Sequence, residues 1–326
     1  MSDFPSVKLH VVTGKGGTGK TTVAAALALA LAAGGRQVLL TEVEGRQGIA
    51  QLFDTPPLPY EERKVAVARG GGDVYALAVD PEAALIEYLE IFYNLRRAGS
   101  ALKRLGAIDF ATTIAPGMRD VLLTGKVMEA ATRERRGGGR LYDAVVLDAP
   151  PTGRIARFLN VNAEVAGLAR MGPVRQQADS VMELLRSRKT AVHLVTVLEE
   201  MPVQETLDGA AELVKVGLPV GGVVVNMVRE PLLPVARIEQ VAGGGLDTDE
   251  LRRGMKAAGL DPADAVVAAL AAEAADHAGR LLLEERERHA LAELARPTYE
   301  LPMLSETVDL ACLYDLAEQL AAQGLV

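Results

Sequence analysis

Gly14-Lys15-Gly16-Gly17-Thr18-Gly19-Lys20-Thr21-Thr22 stands between the apolar run Leu9 to Val12 and the alanine-rich run Val23 to Ala33. The spacing is G-x-x-x-x-G-K-T, a P-loop. Such a loop turns consecutive backbone N–H groups toward phosphates, sends Lys20 to the β- and γ-phosphates and offers the Thr21 hydroxyl to Mg²⁺. The flanks supply what this geometry needs. Strand-forming residues precede the glycines, and eleven residues free of Pro and Gly follow Thr22. A strand, a phosphate loop and a helix in this order predict an α/β fold with a doubly wound, mostly parallel sheet.

Working outward, Gln37 to Thr41 reads as a second strand that delivers Glu42, Val43, Glu44, Gly45, Arg46 and Gln47 to its carboxyl end, the edge at which parallel sheets bind ligands. Pro56, Pro57 and Pro59 mark a loop, Val74 to Val79 a short strand, and Pro81 opens a helix with Leu85, Leu89 and Phe92 on one face. From Glu82 to Arg136 the pattern is mainly helical, with a basic cluster of Arg96, Arg97, Lys103 and Arg104, a break at Pro116-Gly117, and a mobile loop expected at Gly137 to Gly139. Tyr142 to Asp148 is an apolar run ending in an aspartate, the Walker B form, whose carboxylate belongs beside Thr21 and the water shell of Mg²⁺. One P-loop domain over 1–326 is expected, with a helical subdomain inserted at about 82–136 and 160–189.

Bulk properties narrow the function. The net charge of −8, from 35 basic and 43 acidic residues, argues against a general nucleic-acid binder. No run reaches the length of a membrane span. The single cysteine, Cys312, forms no intrachain disulfide, and no apolar signal core precedes Leu9, so a cytoplasmic protein is expected. His10, His193, His277 and His289 have no metal-ligand spacing, so no zinc is expected.

The second lysine, Lys15, at the head of K-G-G-T-G-K-T-T resembles the deviant Walker A motif of the MinD, ParA, nitrogenase iron protein and ArsA group. That resemblance implies a dimer in which this lysine crosses to the partner's nucleotide. Asp148-Ala149-Pro150-Pro151-Thr152-Gly153-Arg154-Ile155-Ala156-Arg157-Phe158-Leu159 resembles the D-T-A-P-T-G-H-T-L-R-F-L switch of one branch, the ArsA and tail-anchored-protein targeting ATPases. The likeness extends over nearly the whole chain, through the strand Ala191 to Val197, the Pro-x-x-E-T helix within Glu199 to Lys215, and a strand ending at Asn226. It implies ATP and Mg²⁺ as ligands, with Gly14 to Thr22 on the phosphates. Asn226 and the loop Pro302, Met303 and Leu304 would hold the adenine, and Thr21 and Asp148 the metal. Lys15, Lys20, Glu44 and Asp148 would be catalytic. The sequence is most similar to bacterial ArsA-like subunits that occur as pairs, which implies a homodimer or a heterodimer with a paralogous subunit, and a protein client.

Three departures qualify the resemblance. The family's zinc-binding C-x-x-C is missing, so a dimer here has no metal clasp. The methionine-rich client helices are reduced to the stretch between Leu159 and Thr190, where Met171, Val181, Met182, Leu184 and Leu185 read as core residues. The water-activating D-P-A-H is replaced by Glu44-Gly45-Arg46-Gln47. A glutamate can do the same proton chemistry, but a displacement of about 1 Å can cost around a hundredfold, so slow or partner-dependent turnover is expected. A non-hydrolysing nucleotide-binding subunit beside an active paralogue is the alternative. A ParA- or MinD-like positioning ATPase fits less well, because the C-terminal helix lacks basic residues, and one cysteine cannot build a multi-thiol arsenic site.

Overall fold

β1 (Leu9–Gly14) is buried at every position, and the rest of the chain is laid out on either side of it. The computed structural model describes residues 2–93, 117–168, 173–304 and 308–326. The basic cluster Arg96 to Arg104, Pro116 and Met171 lie outside the described residues. Eight strands form one sheet: β1, β2 (Gln37–Glu42), β3 (Arg63–Val67), β4 (Asp73–Ala78), β5 (Ala144–Asp148), β6 (Thr190–Thr196), β7 (Val220–Val228) and β8 (Thr298–Pro302), in the order β3-β4-β2-β5-β1-β6-β7-β8. Every pairing is parallel except that of β3 with β4. The apolar runs of β1 and β6 are buried throughout, as strands covered on both faces must be.

α1 (Lys20–Ala32) and α11 (Leu310–Ala322) cover one face of the sheet. α1 is buried on nearly every side, and its alanines let the sheet and α11 approach it closely. The other face holds α4 (Met118–Thr132), α5 (Thr152–Leu168), α6 (Pro173–Arg186) and α7 (Glu200–Lys215). Leu123 and Val127 of α4, Phe158 of α5, and Val181, Met182, Leu184 and Leu185 of α6 share one core with Leu9, Leu39 and Val145 of the sheet. α3 (Pro81–Tyr93) packs against α4.

β3 is absent from the sequence-based reading because Arg63, Lys64 and Val67 leave an edge strand with one buried residue. Gly137 to Gly139 form a tight turn closed by Arg135 N–H to Gly139 O at 2.8 Å and Gly138 N–H to Arg135 O at 3.0 Å, rather than an open loop. Between β7 and β8 the chain makes a helical excursion through α8 (Ile238–Ala242), α9 (Thr248–Ala257) and the long α10 (Asp264–Ala292). Among the described residues no helix is long and apolar enough to cross a membrane.

The strand order places the carboxyl ends of β2, β5 and β1 side by side. Val12 pairs with Asp148, and Asp148 with Glu42. The chain leaves β1 toward β2 on one side and enters β6 on the other, which makes this the switch point where open α/β sheets bind ligands.

Candidate nucleotide site

The loop after β1 is held by contacts that only its sequence permits. A Cβ on Gly14 would lie 2.1 Å from the Val195 carbonyl oxygen of β6, so the loop leaves the sheet with no side chain. Gly19 has φ +83 and would put a Cβ 2.3 Å from the Asn226 amide nitrogen. Gly16 and Gly17 are exposed, and Thr18 Oγ1 donates to the Lys15 carbonyl at 2.9 Å, closing the loop on itself. Gly19 caps α1, whose first turn carries no acidic residue, so the helix dipole faces the loop uncompensated.

Lys20 is 8% exposed. Burial pulls its ammonium below the usual lysine range; Asp148 and Glu44 oppose this, and Arg46 adds to it. Thr21 Oγ1 donates to Asp148 Oδ2 at 2.7 Å, joining the helix start to the end of β5. The other carboxylate oxygen, Oδ1, is buried without a hydrogen-bond partner. Desolvation pushes the Asp148 carboxyl up to about 6; Thr21 and Lys20 counter it, while Glu42 and Glu44 add to it. A hydroxyl beside a carboxylate with one unsatisfied oxygen is a donor set that fits Mg²⁺ keeping most of its water. Thr22 is half-buried on the same turn.

The two acids after β2 have different surroundings. Glu42 is 4% exposed, and its carboxylate accepts Gln47 N–H at 2.8 Å and Ile49 N–H at 3.3 Å, capping the short α2 (Gly48–Leu52). Glu42 therefore builds the loop, whereas Glu44 makes a longer ion-pair contact to Arg46, at 3.6 Å.

The residues expected on the adenine side converge as well. Asn226 Nδ2 donates to the Thr18 carbonyl at 3.0 Å, Met227 stands in the left-handed region at φ 58, and Met303 N–H donates to the Val228 carbonyl at 2.8 Å. Pro302 ends β8 opposite Val228. Met303 is half exposed, whereas Leu304 packs against the core under α1. Asn226 thus spends one of its two amide N–H donors on the loop.

Lys15 Nζ lies 2.8 Å from Glu205 Oε1 on α7, while Glu205 Oε2 is 3.5 Å from Thr152 Oγ1 at the start of α5. Gly209, one turn further along α7, brings that helix against Thr152. Glu205 was not singled out from sequence; its one signal was the run Pro202-x-x-Glu205-Thr206, which by itself reads as a helix start. Thr13 Oγ1 completes the connections by donating to the Pro150 carbonyl at 2.6 Å.

The pattern of the anion-transporting ATPase (ArsA) family matches residues 7–188, the part that carries the loop, Asp148 and the stretch to Leu159. The chain belongs to the ArsA family of ATPases. It is 55% identical to ATPase BagA of Mycobacterium tuberculosis, over 99% of this chain and 95% of that protein. It is 26% identical to ATPase GET3 of Kluyveromyces lactis over 67% of this chain and 71% of that protein. Against the arsenical pump-driving ATPase of Acidiphilium multivorum it is 27% identical over 71% of this chain and 40% of that protein. The ArsA pattern stops at residue 188, so Glu205, Asn226 and the loop after β8 are read from geometry.

Proposed function

We propose that this ArsA-family chain is an ATP-hydrolysing switch that works as a dimer, either with itself or with a paralogous subunit, and whose closure over nucleotide controls binding of a protein partner. The observation that carries this reading is the Thr21–Asp148 hydrogen bond at 2.7 Å with Asp148 Oδ1 left unsatisfied beside the buried Lys20. Backbone N–H groups of Gly16 to Lys20 take the phosphates, and Lys20 bonds the terminal ones. Asn226 and Met303 flank the base. When bound, Mg²⁺ neutralises charge on the β- and γ-phosphates, and Thr21 and Asp148 are the residues that would hold it and its water.

Glu44 orients the attacking water and accepts its proton as the oxygen attacks the terminal phosphorus in line. ADP leaves as the bridging bond breaks. Lys15, released from Glu205, supplies a cation to the partner's nucleotide. Loss of the terminal phosphate frees the loops after Glu44 and Asp148, and the dimer opens.

The test is ATP turnover by the purified chain against Lys20→Ala, Lys15→Ala and Glu44→Ala. Loss of turnover in all three is expected. Turnover that survives Lys20→Ala removes the loop from the account.

A further inference from the structure

The geometry points to Arg46 as a second cation of the catalytic site, supplied by the subunit's own loop after β2 and meeting the terminal phosphate of the bound nucleotide. The inference rests on the nucleotide reading above and adds a residue to it.

The loop is built to hold position 46 out over the site. Glu42 grips Gln47 N–H and Ile49 N–H. The Gln47 side chain is fixed at both ends of its amide, Oε1 accepting Leu58 N–H at 2.7 Å and Nε2 donating to the Leu58 carbonyl at 3.1 Å. Gly45 at φ 67 and Gln47 at φ 57 are both left-handed, so the backbone turns sharply on each side of Arg46. A left-handed glutamine is disfavoured and persists here because Glu42 and Leu58 over-determine it. Two residues beyond Arg46, a Cβ on Gly48 would lie 3.2 Å from Thr21 Cγ2, which sets the loop directly on the residue that bonds Asp148.

The guanidinium at the crest of this loop has little else to do. Its side chain is 71% exposed, and its contact to Glu44 at 3.6 Å is too long for a hydrogen bond. An ion pair of that kind is worth about 0–1 kcal/mol and holds an arginine only weakly. Arg46 is one of the charges that bear on the Lys20 ammonium, lowering it further after burial. Asp148 and Glu44 bear on the loop lysine, Glu42 and Glu44 bear on Asp148, and added phosphates deepen the negative charge.

A planar guanidinium can donate two parallel N–H bonds to a phosphoryl group. As water attacks and the bridging bond breaks, charge shifts among the terminal oxygens and the leaving oxygen. Arg46 transfers no proton; it donates hydrogen bonds that strengthen as that charge develops. Its place between Glu44 and the Gly48–Thr21 contact ties it to the residue that orients the water. The D-P-A-H form has an alanine at this position, so the glutamate and the arginine are two linked departures in one loop.

The experiment measures equilibrium binding of a fluorescent ADP, with and without aluminium fluoride as the transferring-phosphoryl mimic, in wild type, Arg46→Ala and Arg46→Lys, with steady-state ATP turnover alongside. Arg46 is exposed and makes no core contact, so all three proteins should melt together. The expected result is ADP affinity within about twofold in all three. Aluminium fluoride tightens binding in wild type, fails to do so in Arg46→Ala, and does so partly in Arg46→Lys. Turnover should fall at least a hundredfold in Arg46→Ala, below the 10³ to 10⁵ of an arginine supplied by a partner protein. Arg46→Ala that tightens as much as wild type, or turns over faster because Glu44 has been unmasked, overturns the assignment. A wild type that binds ADP but never tightens overturns it too. A wild type that binds no nucleotide overturns the whole-site reading, and Lys20→Ala identifies that case.

Discussion

Lys15 Nζ and Glu205 Oε1 lie 2.8 Å apart, so the lysine at the head of the phosphate loop is tied to α7 of its own subunit. Both side chains are about a third exposed, and pairs of that kind contribute about 0–1 kcal/mol. The tie holds Lys15 in one place without making its release difficult. Because Glu205 also reaches Thr152, the same carboxylate joins the loop to the start of α5. Glu205→Gln should leave the urea midpoint of unfolding nearly unchanged, a shift of less than about 1 kcal/mol. Lys15→Ala should leave ATP affinity within a few-fold while turnover drops by about 10³ or more, since it removes a cation needed only at the transition state.

Asp148 carries a folded-state pKa of about 6 against an ordinary 3.8. The folded chain therefore holds this proton more tightly than the unfolded chain between those values, and the group's contribution to stability declines as pH rises through that window. At pH 7 the carboxylate is ionised and destabilising in the absence of nucleotide. Asp148→Asn should raise the stability of the nucleotide-free protein at pH 7 by on the order of 1–2 kcal/mol, read by urea denaturation. The same change should abolish magnesium-dependent tightening of ATP.

His10 and His193 are 183 positions apart in sequence and stack in the sheet, with His10 Nδ1 3.0 Å from His193 Nε2 and Gly222 N–H donating to His193 Nδ1 at 3.2 Å. The backbone donor fixes the tautomers: His193 carries its proton on Nε2 and donates to His10, leaving the His10 Nε2 proton buried without an acceptor. Burial lowers both pKa values, that of His193 to about 4. The unfolded chain then binds more protons between about 4 and 6.5, so stability rises with pH across that range. The opposite slope from Asp148 offsets part of this rise. Denaturation of an Asp148→Asn background at a series of pH values should show the steeper rise, and His10→Leu/His193→Leu should flatten it.

Gly14→Ala requires a Cβ 2.1 Å from the Val195 carbonyl. The strand cannot yield without breaking its pairing with β6, so this change should cost more than about 3 kcal/mol and deplete soluble protein. Gly19→Ala meets the mobile end of Asn226 at 2.3 Å and a backbone at φ +83. It should fold with a lower melting temperature and lose nucleotide affinity, because Asn226 is displaced from the Thr18 carbonyl. Thermal melts and ADP titration separate the two.

The sheet and the phosphate loop were legible because their signals are local: apolar runs of strand length, a glycine spacing and a terminal aspartate each occupy one stretch of chain. Asp148 beside Thr21 followed from those signals alone. What escaped is non-local. Glu42 and Glu44 look alike two residues apart, and only the fold of Gln47 to Ile49 back onto Glu42 tells the builder of the loop from the other acid. Glu205 meets Lys15 across the sheet edge, and the imidazoles of His10 and His193 meet only once β1 and β6 are paired. β3 was missed because its charged, exposed face has no strand periodicity.

The central claim is that Lys15 of one subunit completes the site of another, and mixing two inactive variants tests it most directly. Lys15→Ala retains Glu44, and Glu44→Ala retains Lys15, so a mixed dimer contains one site with both. Turnover of the mixture well above that of either variant alone is the predicted result. A mixture whose turnover is only the sum of its parts, under conditions where the wild-type chain hydrolyses ATP, contradicts action across the dimer.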